Sequence, residues 1–244
     1  MRVLFVSGID TEIGKTYVTG MLARALQNQG VKVITQKLIQ TGVPQHAISD
    51  DIIIHRELMG MPLQLCDLNH TTCPYRYIKP ASPHLAAALS GQTPDLKVVT
   101  DATRDLLSEF DMVLLEGAGG LLVPVTNELL SLDYIAEQGY PIVLVTTGRL
   151  GSINHTLLSL EAIRQRGLTV HSVIYNHIHD DDKQIANSSI HYMRNYIRKH
   201  YPETYWLGMA IRPPVPNSLQ SADAMLPDLP TDFVATLTAD WEDK

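Results

Sequence analysis

The residues with the clearest chemical potential lie near the start of the chain. Gly8-Ile9-Asp10-Thr11-Glu12-Ile13-Gly14-Lys15-Thr16 separates an apolar run, Val3 to Val6, from a helical pattern. A phosphate-binding loop needs that context. Backbone N–H groups and the positive end of the helix cradle phosphates, Lys15 reaches the β- and γ-phosphates, and the Thr16 hydroxyl can ligate Mg²⁺. The usual spacing puts a glycine at position 9, where Ile9 stands, so Gly8 comes one residue early and the loop is longer by one. A tight turn with an incidental Gly-Lys-Thr uses the same residue types but does not require the strand before it and the helix after it.

Three further positions carry charge at the ends of apolar runs. Glu116 follows Met112 to Leu115 and precedes Gly117-Ala118-Gly119-Gly120. A carboxylate there suits Mg²⁺, a hard cation that takes oxygen ligands, and glycines let backbone approach a ligand closely. The alternative is a solvated glutamate before a glycine turn. Lys37 closes the run from Val31 and leads into Leu38-Ile39-Gln40-Thr41-Gly42. It offers a second positive charge where phosphoryl transfer develops negative charge, although taken alone it reads as a surface lysine. Asp50 or Asp51 adds a metal carboxylate or caps a helix, and one residue can do both. His177 and His179 with Asp180 to Asp182 read as a solvated loop, and Cys73 beside His70 has no geometry for a nucleophile pair.

Short β-branched runs alternate with longer helical patterns. Strands are expected at Val3–Val6, Val31–Lys37, Met112–Glu116, Ile142–Thr147, Val170–Asn176 and Tyr205–Met209. Helices are expected over Lys15–Gln29, from near Asp50, from Ser82 with Pro83 in the first turn, and over Leu96–Phe110, Leu132–Gln138, Ile153–Arg166 and Gln184–His200. A Pro-rich turn follows at Arg212 to Pro216. Such alternation predicts an α/β fold: one doubly wound domain over residues 1–244, its mostly parallel sheet covered on both faces, with residues 58–90 as an active-site insertion. Ligands in such sheets bind beyond the carboxyl ends of the strands, where Lys37, Glu116 and the glycine loop stand.

Composition narrows the partners. The 244 residues carry 19 Lys+Arg against 26 Asp+Glu, a net charge of −7 that disfavours nucleic acid and anionic membranes. No apolar stretch approaches the ~20 residues of a spanning helix. Cys66 and Cys73 form neither a CxxC pair nor a zinc pattern, and the N-terminus leads straight into the glycine loop, so a reducing cytoplasm is expected.

The constellation resembles the ATP-dependent dethiobiotin synthetase family over nearly the whole chain. The matching segments are the loop at 8–16, Lys37 with Thr41-Gly42, Ser49-Asp50, Ser82-Pro83-His84, Glu116 to Gly120, and Leu150-Gly151-Ser152-Ile153-Asn154-His155. The Thr-Glu before Gly14 and the Gly-x-Ile-Asn-His segment are the most discriminating. The resemblance implies a P-loop fold and a Mg²⁺-dependent ligase that closes a ureido ring from 7,8-diaminononanoate (diaminopelargonate), CO₂ and ATP. It assigns catalysis to Lys15, Lys37 and Thr11. Nucleotide binding falls to Glu12, Ile13, Gly14, Lys15, Thr16, Tyr17, Asp50, Glu116, Gly117, Ala118, Gly119 and Asn176. Thr16, Asp50 and Glu116 would hold Mg²⁺. Substrate would meet Thr11, Glu12, Lys37 and Thr41, with Gly151, Ile153 and Asn154 supplied by a neighbouring subunit of a homodimer.

This chain departs from the family pattern in having Leu38-Ile39 where Pro-Val is usual, Thr41 where Ser is usual, and Gly208-Met209-Ala210-Ile211-Arg212-Pro213 in place of Gly-Glu-Ile-Pro. Two other classes share the glycine loop. A partner-regulated dimeric ATPase would carry a lysine where Asp10 stands, and an amidoligase would need an additional glutamine-hydrolysing domain. A paralogue that binds nucleotide without this chemistry is the third alternative.

Overall fold

The computed structural model describes residues 2–209 and 226–237; the expected turn at Arg212 to Pro216 and the divergent residues Ala210 to Pro213 lie outside them. Six strands form one sheet: β1 (Arg2–Gly8), β2 (Val33–Lys37), β5 (Met112–Gly120), β6 (Ile142–Thr147), β7 (Val170–Asn176) and β8 (Tyr205–Met209). Their order is β2-β5-β1-β6-β7-β8, and every pairing is parallel. The inner strands are apolar because helices bury both faces; Leu4, Phe5, Val6, Val113, Leu114 and Leu144 have no exposed surface.

The helices are α1 (Lys15–Asn28), α2 (Asp50–Met59), α3 (Leu65–Leu68), α4 (Pro83–Ser90), α5 (Leu96–Glu109), α6 (Ser131–Gln138), α7 (Ser152–Gln165) and α8 (Lys183–His200). Strand β2 fixes which face two of them cover. Thr35 meets His55 and Arg56 of α2, whereas its neighbour Gln36 bonds the Val99 carbonyl and Thr103 of α5. Successive strand residues point to opposite faces, so α2 and α5 flank the sheet from opposite sides. Lys37, two residues after Thr35, therefore points to the α2 side.

Residues 58–90 depart most from the expected pattern. Leu58 belongs to α2, and beyond Gly60 the chain makes α3, the strand β4 (Arg76–Tyr77) and α4. Strand β4 pairs in parallel with β3 (Gln40–Thr41), and the Thr72 carbonyl accepts the Lys37 N–H at 2.7 Å. The segment thus braces the chain just beyond β2. Its anchor is Arg56, whose Nε and Nη2 donate to both carboxylate oxygens of Asp67 at 2.8 Å, with Arg56 and Asp67 both buried.

Candidate active site

The loop after β1 is shaped by two residues. Gly14 adopts φ +81 as the N-cap of α1, and a Cβ there would lie 2.3 Å from Asn176 Nδ2. Only glycine takes that conformation without strain or collision. Ile13 is fully buried, and Asn176 donates from Nδ2 to its carbonyl at 2.9 Å, tying the loop to the end of β7. The other amide atom, Asn176 Oδ1, is buried without a partner among the described residues.

Lys15 is buried and donates to the Asp10 carbonyl at 2.8 Å. Burial and the nearby Lys37 charge push its ammonium down to about 8. Asp10 also pairs with Arg149, fastening the loop to the β6–α7 connection. Its carboxyl lies below the usual range because it accepts the Thr11 N–H and faces Arg149.

Lys37 and Glu116 are register partners across the β2–β5 ladder. The Lys37 ammonium lies 2.8 Å from Glu116 Oε1 and 2.5 Å from Asp51 Oδ2, and it donates to the Gly117 carbonyl at 3.0 Å. Burial alone would lower its pKa; the two carboxylates outweigh burial and hold it above the ordinary lysine value. For Glu116, burial alone would raise the pKa, and Lys37 and His55 overcome it to hold the carboxyl far below its usual range. Thr16 Oγ1 lies 3.0 Å from Asp51 Oδ1 and 3.1 Å from Glu116 Oε1.

Asp51, and not Asp50, is the aspartate that reaches this centre. Ser49 Oγ accepts the Ile52 N–H and caps α2, which leaves Asp50 exposed and turns Asp51 inward. The adjacent aspartates differ by about 100° around the helix, a rotation that the sequence alone did not phase. His55, four residues beyond Asp51, shares its face and bonds Glu116 Oε2 at 2.9 Å. The i, i+4 spacing from Asp51 is the signal for this histidine in the sequence, and it acquires meaning only once the phase of α2 is known.

Thr11, Glu12, Gly14, Lys15, Thr16, Tyr17, Lys37, Thr41, Glu116, Ala118 and Gly119 line one cleft of about 450 Å³, joined by Ile39, Gln40, Asp51, Ile54 and Ile178. No residue from 58–90 lines it. Gly117 sits beneath it as a carbonyl acceptor for Lys37. Gly151, Ile153 and Asn154 stand apart at the start of α7, where Gly151 and Asn154 are exposed. The oxygen set of Thr16, Asp51 and Glu116 fits a hard divalent cation, since the hydroxyl lies within hydrogen-bond distance of both carboxylates and both carboxylates already hold the positive charge of Lys37.

A glycine loop at the tip of β1, with lysine and threonine opening α1 and the Glu116 carboxylate of the neighbouring β5 level with the end of β2, defines a P-loop nucleotide-binding α/β protein. The chain is 50% identical over 208 residues to the ATP-dependent dethiobiotin synthetase BioD 2 of Haemophilus ducreyi, covering 85% of this chain and 98% of that one. It is 54% identical over 185 residues to the BioD of Chlorobaculum tepidum, covering 76% and 77%. The chain belongs to the ATP-dependent dethiobiotin synthetase family. A family model described as an AAA domain also matches residues 2–207. Among solved structures, the signal recognition particle receptor FtsY from Elizabethkingia anophelis in complex with GDP aligns with TM-score 0.52 at 17% identity, covering 97% of this chain and 63% of that one. That likeness concerns the fold alone. No helix among the described residues is long and apolar enough to cross a membrane.

Proposed function

We propose that the chain closes the ureido ring of dethiobiotin from 7,8-diaminononanoate, CO₂ and ATP, with Lys37 as the central catalytic group. One amine adds to CO₂ and loses a proton to give a carbamate. A carbamate oxygen attacks the γ-phosphorus and ADP departs, leaving a carbamic–phosphoric anhydride. The second amine attacks the carbonyl carbon, and inorganic phosphate leaves as the ring closes.

Lys15 and Lys37 neutralise the charge that develops between carbamate and γ-phosphate, acting most strongly as the oxygen–phosphorus bond forms. Thr11 and Thr41 hold the carbamate end by hydrogen bonds, and Glu12 meets the diamine. Glu12, Ile13, Gly14, Lys15, Thr16 and Tyr17 wrap the phosphates, with Gly117, Ala118 and Gly119 along the opposite wall. Thr16, Asp51 and Glu116 would hold Mg²⁺, which would supply charge neutralisation to the transferring phosphate. Asn176 Oδ1, buried and unpartnered, suits the exocyclic amine of adenine.

The observation that carries this reading is the meeting of Lys15, Lys37, Thr11 and Thr41 in one cleft: a second lysine and two hydroxyls beside the phosphate loop suit an acceptor for the γ-phosphoryl group. Gly151, Ile153 and Asn154 serve the substrate of a neighbouring subunit in a homodimer. Their place at an outward-facing helix N-terminus, and the 87% exposure of Leu150 beside them, support that role. The free thiols Cys66 and Cys73 suit a reducing cytoplasm.

The test incubates purified protein with diaminononanoate, bicarbonate, MgCl₂ and ATP, and follows dethiobiotin by mass spectrometry beside ADP. Matched product and ADP are expected. ADP release that does not depend on the diamine, without product, would overturn the reading in favour of a partner-regulated ATPase or a divergent paralogue.

A further inference from the structure

Beneath the cleft lies a buried polar chain that the reaction scheme does not use. His55 is fully buried, with Nε2 2.9 Å from Glu116 Oε2 and Nδ1 3.1 Å from Thr35 Oγ1. Arg56 Nη1 donates to the same Thr35 Oγ1 at 2.7 Å. Those are the two partners of that hydroxyl among the described residues.

Donor counting assigns the protons. A guanidinium can only donate, so Arg56 occupies a lone pair of Thr35 Oγ1. The Thr35 hydroxyl proton then has one acceptor within reach, His55 Nδ1. Satisfying it makes Nδ1 the acceptor and leaves the imidazole proton on Nε2, facing the carboxylate. The opposite tautomer would set two unprotonated acceptors, Nε2 and Glu116 Oε2, against each other and leave the Thr35 proton without a partner. Arg56 is itself fixed by both oxygens of Asp67, so the order of the chain is Asp67–Arg56–Thr35–His55–Glu116.

We propose that His55 is a positioning residue for Glu116: held as the neutral Nε2–H tautomer by Thr35 and Arg56, it pins Oε2 and leaves Oε1 to face Thr16, Lys37 and the divalent cation. This rests on the assignment of Glu116 to cation binding given above. Partners one shell removed from a metal typically change its affinity 10–100-fold when lost. The chain also ties cation affinity to the 58–90 segment, since Asp67 lies in α3.

Two measurements test this, and neither requires turnover, so failure here is separable from failure of the ligase reading. In ¹⁵N-labelled wild-type protein, two-bond imidazole correlations, with the His55 signals assigned by their loss in His55→Gln, should show a protonated Nε2 and an unprotonated Nδ1. An Nδ1–H tautomer or an imidazolium overturns the proposal. Mn²⁺ binding with a non-hydrolysable ATP analogue, read by electron paramagnetic resonance, should weaken about 10–100-fold in His55→Leu. His55→Gln, whose amide nitrogen can stand in for Nε2, should stay within about threefold of wild type by the same reasoning. A purely structural histidine would lower the melting temperature of both variants and leave Mn²⁺ affinity of the folded protein unchanged, which would overturn the proposal. If His55→Leu does not fold, the tautomer in the wild-type protein still decides.

Discussion

Replacing Lys37 with Gln removes an ammonium that bridges Asp51 Oδ2 at 2.5 Å and Glu116 Oε1 at 2.8 Å, while keeping a side chain of similar length. At an effective dielectric of about 20, each contact is worth ~6 kcal/mol before desolvation. Most of that is offset by the loss of hydration of a buried ammonium. The measurable penalty is that of a buried carboxylate left without its cation, about 3–5 kcal/mol. Glu116 keeps its bond to His55, which favours the lower end: ~3 kcal/mol, or a melting temperature about 6–12 °C lower in a chain of this size. The deficit should depend on pH. Glu116 is held below its usual range in the folded protein, so in the wild type its contribution is present above the unfolded value and lost as pH falls through the folded one. Without Lys37, burial dominates and raises the folded value above the unfolded one. Stability is then present at low pH and lost as pH rises, so the gap between variant and wild type should narrow from about pH 7.5 to about pH 5. In the coupled dethiobiotin assay kcat should fall about 10²–10³-fold, with a smaller change in KM for the diamine, since the charge acts chiefly as the anhydride forms. A kcat within about threefold of wild type would refute the catalytic role, and a gap independent of pH would refute the electrostatic account of Glu116.

Asp51→Asn should raise the Mg²⁺ concentration for half-maximal activity at least about tenfold, while Asp50→Asn, at an exposed position, should leave it unchanged; the reverse result would restore Asp50 as the ligand. Gly14→Ala places a Cβ 2.3 Å from Asn176 Nδ2 at φ +81, so it should destabilise the chain by about 1–3 kcal/mol and weaken ATP binding in calorimetry. Leu150 and Leu158 are 87% and 61% exposed; Leu150→Asp with Leu158→Asp should shift the mass seen by light scattering from dimer to monomer and reduce dethiobiotin formation with it. An unchanged mass and unchanged turnover would remove α7 from the subunit interface.

Much of this molecule is legible locally. The strands Ile142–Thr147, Val170–Asn176 and Tyr205–Met209 fall where β-branched and aromatic runs put them, and α1, α5 and α8 fall within a residue or two of their apolar periodicity. These elements are encoded by neighbours in sequence, through backbone hydrogen bonds and side-chain spacing. The small β3–β4 pair and α3 were not legible, because two-residue strands have no period and exist through pairing with a distant segment.

A parallel α/β sheet, a phosphate loop at its first strand and a lysine at the carboxyl end of its second are all written in local residue order, whereas the strand expected to stop at Glu116 runs on through its glycines to Gly120. That β2 lies beside β5, bringing Lys37 opposite Glu116 across 79 residues of chain, is settled by long-range packing. The tertiary structure also decided that the Ser49 cap turns Asp51 and His55 toward them. Strand adjacency is set by the burial of whole faces against one another, and the phase of a helix by its cap and packing. Neither quantity is stored in the spacing of the residues that come to share the site.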